Sequence, residues 1–144
     1  MKDELIVVPI LENLSVIADF LQERIKQAHL ASRKAWELLL ATDEICSHII
    51  QFRKYDTSMG KMKIVWEGYP DRVIITIEVS GIPFNPLDPT SKDNTKDDEE
   101  EVLGGMCLHL VQQMIDEFSY SRTNNNNVFR VTKFRKSRRN KVEK

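Results

Sequence analysis

Cysteine is scarce in this chain, and the two present, Cys46 and Cys107, stand far apart inside apolar-periodic segments. That placement speaks against a disulfide framework and against a paired-cysteine zinc site. Both read as reduced core residues. Long apolar runs are lacking as well: "LIVVPIL" and "ELLLA" are far too short to cross a bilayer. The charged start "MKDE" has no secretory layout, so the expected location is cytoplasmic, with no membrane partner. Proline is rare too, yet three of the five fall between Pro83 and Pro89, just where a strand-like run ends.

Charge is abundant but balanced, with a net charge of −1 over 144 residues. Its distribution is uneven. Residues 88–101 carry seven acids against Lys92 and Lys96, whereas residues 130–144 carry eight bases against Glu143. The basic end has no interleaved aromatics and reads as a solvated tail, so nucleic acid is not an expected partner. With 41% hydrophobic residues, a chain of this length holds one domain with a sizeable core. Its expected bounds are residues 1–135, with an acidic lid over about 86–103 and a tail over 136–144.

Hydrophobic periodicity supplies the element order. "ELIVVPI" reads as a strand, and Leu14, Ile17, Ala18, Leu21, Ile25 and Ala28 mark an amphipathic helix ending near His29. A second helix is predicted from a cap at Ser32 through Tyr55, its apolar stripe including Trp36, Leu39, Leu40, Cys46, Ile49 and Ile50. Met62/Ile64/Trp66 and Val73/Ile75/Ile77/Val79 alternate on either side of a turn at Gly68–Asp71, which predicts a hairpin. A helix opening at Gly104 and Gly105 comes after the acidic stretch, and "FSYSR", "TNNNN" and "VFRVTKF" predict a second hairpin. There is no internal repeat. Strand, helix, helix, two strands, helix, two strands gives an α/β sandwich, a mixed sheet covered on one face by three helices.

Three stretches stand out in this order: "ATDEICSHII" on the second helix, "VSGIPFNPL" at the end of a strand, and "LGGMCLHLV" at a helix start. Glu44 and His48 lie one turn apart and share a helix face. A lone pair of this kind is also what a polar stripe on a half-buried helix contains, and the sequence suggests no further ligands for a transition metal. Gly81, Pro83, Phe84 and Pro86 let the backbone leave the strand sharply and stiffen the loop beyond it. Gly104 and Gly105 leave backbone N–H groups open to an anion, or merely form the entry turn of a helix.

In their order and spacing, these blocks resemble the GHKL ATPase superfamily. The likeness is nearest to the serine kinases that act as anti-sigma factors in bacterial partner switching. It covers roughly residues 5–134 and rests on "GIPFNPL", "GGMCLHLVQQMIDEFSY" and "NVFRVTKF". The resemblance implies a GHKL/Bergerat fold, ATP and Mg²⁺ as cofactors, Glu44 as the catalytic base, and a nucleotide site at His48, Val79, Gly81, Pro83, Phe84, Gly104, Gly105 and Cys107. His48 stands where the family has a metal-binding asparagine, and imidazole is a poorer ligand for a hard cation. Val79 stands where the family has the aspartate that accepts from the adenine amino group; leaving that group without a partner costs roughly 1–3 kcal/mol. Cys107 replaces a glycine of the phosphate cradle. Together the three changes imply a weakened or lost nucleotide site on a regulatory protein. The implied partners are a sigma factor and a STAS-type antagonist, and a homodimer is typical of the family. The competing expectation is an active ATP-dependent serine kinase.

Overall fold

The computed structural model describes residues 1–54, 56–84 and 111–136. Strand β1 (Lys2–Val7) leads through a short 3-10 turn into helix α1 (Leu14–Ala28), followed by helix α2 (Ser32–Phe52). A first hairpin joins β2 (Met62–Gly68) to β3 (Arg72–Ser80), and a second joins β4 (Glu117–Thr123) to β5 (Asn126–Phe134). The five strands form one sheet in the order β1-β2-β3-β5-β4. The expected α/β sandwich is therefore present. All four pairings among the described strands are antiparallel, which is narrower than the mixed pairing expected.

Register explains why one face is buried. Opposed residues share a face, so Leu5, Ile64, Ile77, Phe129 and Tyr120 form one row across the sheet, and Val7, Met62, Val79, Asn127 and Arg122 form another. Along β3 every second residue is buried, the period-two signature of a sheet covered on one side. Ile17, Leu21 and Ile25 of α1 and Leu38, Ala41, Ile45 and Ile49 of α2 complete the same core. Two polar ties fix the layers. Arg24 on α1 pairs with Asp3 on β1, and Lys133 on β5 donates to Glu37 on α2 at 2.8 Å. The opposite face is mixed, with Ile6, Val65, Ile74 and Val128 among polar residues and Lys63 and Glu78 paired across strands.

Helix α2 differs from expectation in three places, two at its limits and one on its face. Ala31, in extended backbone, holds the N-cap position of α2 and no side chain caps it, so Ser32 is already helical. The helix stops at Phe52, where bonds from Arg53 to Ile50 and from Lys54 to Gln51 tighten the last turn. Trp36, expected on the apolar stripe, is 57% exposed. It points away from the face defined by Leu38, Ile45 and Ile49. α1 ends near His29, as expected, and His29 caps it in the left-handed conformation. In the second hairpin Asn124 and Asn125 both have positive φ, the requirement of a tight two-residue turn.

Of the third expected helix, residues 111–114 are helical, the chain bends at Ile115 and Asp116 before β4, and the part before residue 111 lies outside the described residues. The same holds for the acidic stretch 86–103 and for the tail beyond Lys136. The end of this helix is anchored: the Lys133 ammonium donates to the Met114 carbonyl as well as to Glu37.

Candidate functional site

Helix α2 carries Glu44 and His48 on one half-buried stripe, as their spacing required. Beside them, Asp43 is held above the usual carboxylate range, by burial first and by the negative charge of Glu44 second. Cys46, one position from the buried centre of the helix, is fully buried, and burial pushes its thiol well above the usual range. It is a core residue, as expected of a reduced cysteine. Among the described residues, no group of three or more His, Cys, Asp or Glu side chains could hold a metal ion.

Val79 lies at the end of β3, directly between Met62 on β2 and Asn127 on β5. Its side chain is 1% exposed and carries no acceptor. The polar group of this neighbourhood is Asn127, which is fully buried. Its Nδ2 donates to the Ile82 carbonyl at 2.9 Å. Its Oδ1 accepts from the Phe84 N–H at 3.1 Å, from the Tyr120 hydroxyl and from Arg122 Nη1 at 3.2 Å. A backbone N–H on one side and a carbonyl on the other leave the amide a single sensible orientation.

Gly81 has φ +140, a backbone state open essentially to glycine alone. A Cβ added there would land on the Asp56 carboxylate. Asp56 comes four residues after the end of α2 and is buried. Its Oδ2 accepts from the Ile82 N–H at 2.7 Å, and its Oδ1 accepts from the N–H and hydroxyl of Ser58. The Ser58 hydroxyl, assisted by these backbone N–H groups and by the charge of Arg122, holds the carboxyl below the usual range against the opposing effect of burial. Pro83 is exposed. Phe84 turns inward and stacks on Phe52, with ring centroids 3.9 Å apart and planes 11° apart, and meets Phe129 edge-on.

Of the residues singled out from the sequence, Val79, Gly81, Pro83 and Phe84 therefore meet at one end of the sheet, and Glu44 and His48 lie on α2. Gly104, Gly105 and Cys107 lie outside the described residues. Asp56, Tyr120, Arg122 and Asn127 were not anticipated. For Asn127 a signal existed, because it occupies a buried register position in the alternation of "NVFRV".

The chain matches the family model of the histidine kinase-like ATPase domain over residues 8–133. It belongs to that family. No curated protein matches the chain. Domains of this family generally bind ATP with Mg²⁺. At the end of β3, where the resemblance would put the base, the described residues do not fit that role: Val79 offers no acceptor, and the Oδ1 of Asn127 already serves three donors. No described helix is long and apolar enough to span a membrane.

Proposed function

We propose that this protein is a regulatory member of its ATPase family, related to the anti-sigma serine kinases, that acts by docking protein partners with ATP binding weakened or lost. The observation that carries this reading is Val79, an apolar side chain buried at the position where an aspartate would meet adenine. A buried amino group without an acceptor loses about ten- to a hundredfold in affinity. By resemblance, the partners are a sigma factor and a STAS-type antagonist, with a homodimer as the assembly. Partner choice would then be set by mass action rather than phosphorylation. The Asn127 and Asp56 network supports the same reading, because it builds the loop after β3 without a nucleotide.

Glu44 favours the alternative, an active serine kinase, since its carboxylate remains on a half-buried stripe of α2. Phosphoryl transfer depends on positioning and charge neutralisation, and His48 is a poor substitute for an amide ligand to Mg²⁺. The test is calorimetric titration with ATP and ADP, with and without Mg²⁺. The expected result is no binding up to millimolar nucleotide. Micromolar, Mg²⁺-dependent binding would overturn the proposal and direct attention to a phosphorylated partner serine.

A further inference from the structure

We infer that the Gly81–Phe84 loop is locked by the protein itself, with Asn127 and Asp56 as the positioning residues, so that the surface it presents does not depend on nucleotide. This inference rests on the reading above, in which nucleotide is not the switch.

Every N–H in the loop has a partner. Gly81 donates to the Asn125 carbonyl at 3.2 Å, Ile82 to Asp56, and Phe84 to Asn127 and the Tyr120 hydroxyl; Pro83 has no N–H. The Ile82 carbonyl is bound by Asn127. The anchors come from four places in the chain: the turn after α2, strand β4, the β4–β5 turn and strand β5. Both principal anchors are buried, so water competes poorly for these bonds. Stacking of Phe84 on Phe52 adds an apolar anchor from the last residue of α2. The lock also uses up its own recognition capacity. An amide oxygen has two lone pairs, and here three donors already converge on it. The closed loop shows Ile82, 49% exposed, to solvent together with Pro83.

Amide hydrogen exchange on the full chain, with and without ATP and Mg²⁺, tests the lock. Without nucleotide, the Ile82 and Phe84 amides should be protected to within about tenfold of central β3 amides such as Ile77, and nucleotide should change this by less than about twofold. Asn127→Ala should speed Phe84 exchange about ten- to a hundredfold. Tyr120→Phe keeps the ring and the core packing, and should speed Phe84 exchange by about three- to tenfold without altering Ile77. Unprotected Phe84 in the wild-type protein, or protection gained only on adding nucleotide, would overturn the lock. The two proposals fail separately. Fast exchange with no calorimetric ATP binding removes the lock alone, whereas tight ATP binding to a protein whose loop is already protected removes the proposed function alone.

Discussion

Replacing Gly81 with alanine should be among the most damaging single-methyl additions in the molecule. Two costs meet at this residue. The backbone at φ +140 lies in a region that side chains avoid at about 1–3 kcal/mol. The new Cβ would also collide with the Asp56 carboxylate, so the bond from the Ile82 N–H to that carboxylate, 2.7 Å long, must stretch or break. A hydrogen bond to a charged group contributes about 1.5–3 kcal/mol. Relaxing one cost relieves part of the other, so about 3 kcal/mol is expected rather than the full sum. Urea unfolding monitored through the fluorescence of Trp66, which is 1% exposed, measures this directly. With a slope of about 1.5 kcal/mol per molar, the midpoint should fall by about 2 M. Asp56→Ala supplies the control. In the Gly81→Ala background it removes the collision, so it should cost about 1–2 kcal/mol less there than in the wild-type protein. A midpoint shift under about 0.3 M for Gly81→Ala, or strict additivity in the pair, would refute the claim that Gly81 is required by the approach of Asp56.

Buried charges give two further expectations. The Lys133 side chain is 6% exposed and Glu37 18%, so Glu37→Ala leaves a buried ammonium without its carboxylate and should cost about 3–5 kcal/mol. Lys133→Met, which removes the cation and keeps its apolar stem while Arg33 still pairs with Glu37, should cost clearly less; equal losses in denaturant midpoint would contradict this ordering. For pH, the folded Asp56 carboxyl lies below its unfolded value near 3.8, chiefly through the Ser58 hydroxyl. Its contribution is therefore complete above the unfolded value and is lost as pH falls through the folded one. Wild-type midpoints measured from pH 7 down to pH 3 should drop toward the acid end, and Asp56→Asn should begin lower and decline less steeply.

The parts of the fold legible in the sequence are those governed by period. Val73, Ile75, Ile77 and Val79 alternate and are all buried, and Ile17, Leu21 and Ile25 line the inner face of α1. The asparagine turn could also be read, because two successive positive φ values demand such residues. The features that were missed have separate causes. Trp36 looked apolar enough for the α2 stripe, but that stripe centres on Leu38, Ile45 and Ile49, and Trp36 projects to the other side. Asp56 finds its partner Ile82 26 residues later, and no local pattern marks that pairing. Asn127 sits at the end of four consecutive asparagines, where a turn explains the first members of the run and hides the different role of the last.

That last asparagine changes what a valine at residue 79 means. A valine at the end of β3 would by itself leave the adjoining loop without a polar anchor. Here the directly opposed residue on β5 supplies one. Asn127 bonds Ile82 and Phe84 from inside the core, and Asp56 bonds Ile82 from the other side of the loop. The loop's shape is thus held without an acceptor at position 79. If residue 79 is the base-reading position, as proposed, loop geometry and base reading rest on different residues, and the second can be absent while the first persists. On the proposed reading, Gly81–Phe84 therefore argues for a maintained loop shape rather than for a maintained nucleotide.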